Sequence, residues 1–217
     1  GSLSEAILSQ YYKNFTSSSI ISGIAKIQYY FDCPILHISS SMVYGTWKEY
    51  KKEEDSKIPV DWYGECKLLS EQYVFDKDII LRPMHVYGFG DGKFPITMNL
   101  MRQVKNNQPV TIEEADCIYI KDLNYLIKKI IDNWIPGIYN ISSGYIRDKN
   151  TIKEETKNFF NLDIETVLKS GPTGKDRGLL DTTKIQTTFN WRPMYKTYKE
   201  SIVDYFTDYR NFNENNS

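Results

Sequence analysis

The sequence is short of histidine and cysteine and has no long apolar run. Only His37 and His85 are present, and the three cysteines lie far apart with no C-x-x-C pair, so a structural zinc site has no support. The odd set Cys33, Cys66 and Cys117 gives no disulfide framework and points to a reducing compartment, so a cytoplasmic location is expected. No stretch approaches the roughly 18 apolar residues of a membrane span. The first residues have no basic segment running into an apolar one, so no secretory signal and no membrane partner are expected. With 27 Lys and Arg against 28 Asp and Glu, the net charge is −1, which excludes the basic footprint of a nucleic-acid binder. No G-x-G-x-x-G or G-x-x-G-x-x-G occurs either. Gly88-x-Gly90-x-Gly92 leads into Phe-Pro, not from a strand into a helix N-terminus, and reads as a loop.

What is present is an ordinary globular composition. A chain of 217 residues, 41% apolar and 25% charged, can bury the core of one domain or one and a half. The spacing predicts a first helix over residues 4–31, with Ile20, Ile24 and Ile27 on one face and a weak point at Thr16-Ser17-Ser18-Ser19. Strands are predicted over 35–38, 78–82, 117–120, 137–141 and 164–169. Helices are predicted over 63–75, 95–106, 122–134, 151–160, 181–189 and 198–209. Leu68, Leu69, Gln72 and Tyr73 are expected near the inner face of the helix over 63–75. Residues 49–57 read as a charged surface loop and 211–217 as a disordered tail. Strands alternating with helices predict an α/β fold built on a parallel sheet. A doubly wound dinucleotide fold opens on a strand, a glycine-rich turn and a helix, whereas this chain opens on a helix.

Two segments carry chemistry. The first is Ile38-Ser39-Ser40-Ser41-Met42-Val43-Tyr44-Gly45, a hydroxyl cluster closing an apolar strand. The second is Tyr63-Gly64-Glu65-Cys66-Lys67. Tyr-x-x-x-Lys occurs six times in the chain, so the match alone decides nothing. Context selects Tyr63 and Lys67: a strand ending in serines precedes them, and a buried strand ending in Arg82-Pro83 follows. A tyrosine titrates near pH 10, too high for a base at neutral pH. A lysine one helical turn on favours the phenolate. A serine at a strand's C-terminal end can hold a substrate hydroxyl beside it, where open α/β sheets bind ligands.

The ordered set HISSSMVYG, YGECK, ILRPMHVYGFG, CIYIKDL, GIYNISSG and LDTTKI…FNWRP resembles the extended short-chain dehydrogenase/reductases. Within them it is most similar to the NAD-dependent epimerase/dehydratase group that modifies nucleotide sugars. The likeness runs over roughly residues 10–208. It implies the C-terminal part of a doubly wound, Rossmann-like parallel sheet with a small α/β substrate-binding lobe. It implies Ser40, Tyr63, Lys67 and Asn14 as catalytic residues. Tyr63, Lys67, Pro83, His85 and Val86 would lie against the nicotinamide end of NAD or NADP. Ser41, Met42, Asn99 and Arg177 would meet a nucleotide-sugar substrate, and a homodimer is expected.

The chain also departs from that pattern. The group's 4,6-dehydratases carry Asp-Glu after the catalytic Thr, where Ser41 and Met42 stand here, so an epimerase or ketoreductase is expected. The 3,5-epimerase/reductase branch has Cys at the Met42 position, so that chemistry is not expected either. Ala115 occupies the place of an arginine that clamps the substrate diphosphate. The helix after Lys67 reaches the next strand sooner than usual. The group's first strands and glycine-rich turn would lie before residue 1, leaving a sheet edge uncovered. Residues 3–90 are thus expected to be the rest of a dinucleotide-binding domain and 91–210 a substrate lobe with elements returning to the sheet. An N-terminal polypeptide is expected to complete the fold. The rival expectation is a non-catalytic remnant that binds a partner or nucleotide sugar.

Overall fold

A computed structural model describes residues 13, 17–47, 49–88, 101–104, 106, 108–112, 114–168 and 178–214. The first helical region opens with a π-helical turn, Ser18–Ser22, and continues as α1, Gly23–Tyr30. The irregular turn falls at the serine run that weakened the sequence signal. Asp78 fixes the end of this region. Its carboxylate accepts the Ile35 and Phe75 N–H groups at 2.8 Å each and bonds the Gln28 side chain.

Three parallel strands form the main sheet: β1 (Leu36–Ile38), β2 (Ile79–Pro83) and β6 (Gly137–Ile141), in the order β1-β2-β6. Leu36 pairs with Ile79, and Ile79 in turn with Gly137. Among the described residues β1 pairs only with β2. Alternation along β2 sends Ile79 and Leu81 into one core and Ile80 and Arg82 to the other face. The first face packs α3 (Ile120–Asp132) through Leu123, Leu126 and Ile130, a helical stripe, together with Ile185 of α5 (Thr183–Thr188) and Trp191. The second face packs α2 (Trp62–Glu71). Beside α2 a cleft of about 400 Å³ opens over Ile80, Arg82 and Ile138. Helices on both faces of a parallel sheet make this the doubly wound, Rossmann-like arrangement the sequence implied.

After Pro83 the chain changes sheets within two residues. Pro83 has no N–H for the ladder, and Met84 bonds Ile141 O at 2.9 Å. Then β3 (His85–Tyr87) pairs in parallel with β5 (Cys117–Tyr119). A third pair joins β4 (Val110–Ile112) to β7 (Thr166–Leu168). These lie over α4 (Lys149–Phe160) and α6 (Tyr198–Glu214) around an aromatic core of Tyr87, Tyr119, Tyr198, Tyr205 and Phe206. Lys121 ties α6 down, reaching Asp204 at 2.6 Å and Asp208 at 2.8 Å.

Several expectations change. The helix after Tyr63 ends at Glu71, and its buried residues are Tyr63, Gly64, Cys66 and Ser70. Leu69 and Tyr73, expected inside, are exposed at 40% and 42%, and Gln72 is exposed too. The last helix runs to Glu214, so residues 211–214 of the expected tail are helical. The charged loop over 49–57 is not wholly at the surface, because Glu53 is buried. The strands β3 and β4 were not expected. No helix among the described residues is long and apolar enough to cross a membrane.

Candidate active site

The C-terminal ends of β1, β2 and β6 meet where the chain leaves the first sheet for the second. Ser39 and Ser40 follow β1 directly, and a tight 3₁₀ turn, Ser41–Tyr44, comes next. Ser40 is its extended N-cap, and the Ser40 Oγ accepts the Met42 N–H at 3.2 Å. That bond uses an oxygen lone pair. Among the described residues no acceptor for the Ser40 hydroxyl proton is seen. Gly45 closes the turn at φ 76, and a Cβ there would stand 2.0 Å from Ile58 O.

The helix α2 is aimed at this turn by its start. Asp61 caps it, accepting the Gly64 N–H at 2.7 Å, and Glu65 sits in the first turn, where the helix dipole favours an acid. Gly64 allows the close approach, since a Cβ there would come within 2.7 Å of Met42 O. Tyr63, next to Gly64 on α2, is only 3% exposed. The Lys67 Nζ stands 5.7 Å from the centre of the Tyr63 ring and donates to Ile38 O at 3.0 Å. Its charge is thus anchored to the end of β1, two residues before Ser40. Behind it, burial and the Lys67 charge push the His37 imidazole down to about 4, so it is neutral and shares a 2.9 Å hydrogen bond with Ser70. The structure brings Ser40, Tyr63 and Lys67 to one place.

Ser41 is buried in the turn and Met42 half-buried. Pro83 is buried at the end of β2, while His85 and Val86 are half-buried on β3, with Val86 packed against the core of the first sheet. Asn14, Asn99 and Arg177 lie outside the described residues. Ala115 is 3% exposed, and its carbonyl accepts the Arg147 N–H at 3.1 Å.

Sequence reasoning missed the polar layer beneath the turn. Arg82 grips Glu71 with two bonds, 2.9 Å from Nε and 2.6 Å from Nη2, both side chains being almost fully buried. Its Nη1 also donates to the Tyr44 hydroxyl at 2.8 Å. Burial pushes the Tyr44 phenol up to about 12, against the pull of Arg82, so it stays protonated and donates to Asn140 Oδ1 at 2.7 Å. One signal was available: an arginine inside the apolar strand Ile-Ile-Leu-Arg-Pro needs a buried anion, and the only question was which.

A model of the RmlD substrate binding domain family matches residues 11–144, well over half of the chain. The chain belongs to this family. It is 27% identical over 175 residues to a dTDP-4-dehydro-6-deoxyglucose reductase of Escherichia coli, an alignment covering 71% of this chain and 54% of that protein. The chain therefore spans about half the length of the curated relative it matches. Among solved structures, RMD from Pseudomonas aeruginosa complexed with NADPH superposes with a TM-score of 0.79 at 18% identity, over 95% of this chain and 78% of that one. A UDP-N-acetylglucosamine 4-epimerase from Methanobrevibacter ruminantium M1, in complex with UDP-N-acetylmuramic acid, gives 0.79 at 17% identity, over 97% and 74%. At these identities the two structures establish the fold, which agrees with the Rossmann-like sheet described above. The kinship expected from the motifs holds at the level of family and fold.

Proposed function

We propose that this chain carries the proton-transfer and substrate-holding part of an NAD(P)-dependent nucleotide-sugar reductase or epimerase. The observation that carries the reading is the convergence of Ser40, Tyr63 and Lys67 at the C-terminal end of β1. In this reading Ser40 hydrogen-bonds the sugar oxygen through its hydroxyl and holds it beside the Tyr63 phenol. Tyr63 gives a proton to that oxygen in reduction, or takes one in oxidation. Lys67, fixed to Ile38 O, favours the phenolate left behind. The residues present fit the nicotinamide-ribose end of the cofactor, with Lys67 and the Pro83–Val86 turn beside it. The nicotinamide, when bound, supplies or takes the hydride. The 217 residues contain no glycine-rich loop for the pyrophosphate, so the reading includes a further polypeptide segment that provides one.

Reduction is favoured over epimerisation by the family match and the reductase relative. Dehydration is disfavoured because Ser41 and Met42 offer no acid. Asn14 would assist at the catalytic centre, and Asn99 and Arg177 would meet the substrate. Arg147 is a further candidate for its diphosphate, since its buried side chain belongs to the residue bonded to Ala115. The same reading includes a homodimer, which sedimentation would reveal. The decisive assay mixes NADPH with a nucleotide 4-keto sugar and follows loss of absorbance, using the chain alone and the chain joined to a glycine-rich N-terminal segment. Turnover in the joined protein supports the reading. Substrate binding without turnover in either form would favour the rival, a non-catalytic binding module.

A further inference from the structure

We propose that Glu71 and Arg82 are positioning residues that set the Ser40 hydroxyl by gripping the chain on both sides of it. The inference rests on the functional reading above for its catalytic consequence, but not for its geometry. Upstream of Ser40, the Ser39 Oγ donates to Glu71 Oε1 at 2.5 Å. Downstream, the Tyr44 hydroxyl accepts from Arg82 Nη1 at 2.8 Å. Glu71 and Arg82 are themselves locked together by their double hydrogen bond. One buried ion pair therefore holds residues 39 and 44, and Ser40 lies between them.

The outer shell is closed as well. Arg82 Nη1 also donates to Glu53 O at 3.0 Å, and Glu53 Oε1 accepts the Asn140 N–H at 2.8 Å. Asn140 Nδ2 reaches Lys51 O at 2.9 Å, and its Oδ1 takes the Tyr44 proton. Ser39, Tyr44, Arg82 and Asn140 are each at most 2% exposed. A buried ion pair is seldom worth more to stability than a well-packed apolar pair of the same volume. Its distinctive product is directional placement, which a site needs to within a fraction of an ångström.

Helix α2 supplies the reason that placement matters. Tyr63, Lys67 and Glu71 stand at i, i+4 and i+8, one face of a rigid rod spanning about 12 Å. The proposed base, the cation beside it and the anchor of the serine turn are therefore parts of one body. Through Lys67 to Ile38 O and Glu71 to Ser39 Oγ, that body binds the chain just before Ser40 at two adjacent residues. The spacing between Ser40 and Tyr63 is set by this rod together with the close approach of Gly64 to Met42 O.

The test uses Ser39→Ala and Tyr44→Phe, each of which deletes one hydroxyl and leaves the ion pair intact. The first readout is amide hydrogen exchange in the full chain. The Met42 N–H, held by Ser40 Oγ, should exchange about tenfold faster in either variant, the size expected for one lost hydrogen bond. The Ile130 N–H, in the remote helix α3, should change far less. Equal acceleration at Met42 and Ile130, or none at Met42, would overturn the proposal, because the network would then be general scaffolding. The second readout is turnover, in a form of the protein where Tyr63→Phe abolishes it. There Ser39→Ala should lower kcat about tenfold with KM nearly unchanged. An unchanged kcat would also overturn the positioning role. If Tyr63→Phe leaves turnover intact, the functional reading fails, and the exchange result still decides whether Glu71 and Arg82 set the turn.

Discussion

Around Ser40 the protein is held by charges and hydrogen bonds, whereas around Tyr205 it is held by rings. Beneath the serine turn, Glu71, Arg82, Tyr44, Asn140 and Glu53 form a closed polar layer with bonds between 2.6 and 3.0 Å. In the second lobe, Tyr87 meets Tyr119 at 5.2 Å between ring centres, Phe160 meets Phe206 at 5.0 Å, and Tyr119 meets Tyr195 at 5.1 Å. The two regions solve different problems. Rings bury area and tolerate a shift of shape. A hydrogen-bonded ion pair tolerates almost none, because each member is costly to leave unpaired. The rigid chemistry sits under the candidate catalytic turn and the adaptable chemistry in the lobe proposed to hold the substrate.

Single substitutions in each region should separate the two kinds of packing. Arg82→Met leaves the Glu71 carboxylate buried without its partner and should cost about 3–5 kcal/mol in urea unfolding. The double variant Glu71→Leu/Arg82→Met should cost clearly less than the sum of the two singles. A cost near zero for Arg82→Met would deny the polar layer its rigidity.

A second effect depends on pH. His37 is held down to about 4 in the folded protein against 6.5 when free, so it is neutral when folded and protonates when unfolded. Its contribution is complete above pH 6.5 and is lost as the pH falls toward 4, a loss of up to about 3 kcal/mol. Asp116 and Asp122, raised by burial to about 6, run the opposite way over part of that range. The check is therefore the difference between the stability curves of wild type and His37→Asn, which should widen in the wild type's favour as pH rises from 4 to 6.5. Parallel curves would exclude a buried neutral His37.

Gly64→Ala comes next. Its Cβ would press on Met42 O at 2.7 Å and Pro59 Cβ at 3.0 Å, so α2 must move off the serine turn at a cost of about 1–3 kcal/mol. Exchange at Met42 should rise more than exchange in α3. The smallest effect is expected in the aromatic lobe, where Ile202→Leu keeps the volume of a buried side chain in that core and should cost less than about 1.5 kcal/mol. A larger cost there would mean that this core is as exacting as the ion pair.

The sheet was legible in the sequence because β1, β2 and β6 are short, mostly apolar runs marked by Pro34, Pro83 and Gly137. The strands β3 and β4 were not expected; each pairs in parallel with a partner far along the chain, β5 and β7. Periodicity misplaced the inner face of α2. Leu69 and Tyr73 are apolar yet face solvent, while the small residues Gly64, Cys66 and Ser70 make the contact. Ser40, Tyr63 and Lys67 were singled out by their order along the chain and the strands around them, since the Tyr-x-x-x-Lys spacing alone recurs six times. The bond from Ser39 to Glu71 joins residues 32 positions apart, and only the fold brings them together.

Tyr63 is the proposed proton donor. Its most direct test is Tyr63→Phe, in the chain joined to a glycine-rich N-terminal segment, assayed with NADPH and a nucleotide 4-keto sugar. Turnover should disappear while NADPH still binds with nearly the wild-type affinity. Turnover at the wild-type rate in Tyr63→Phe would contradict that role.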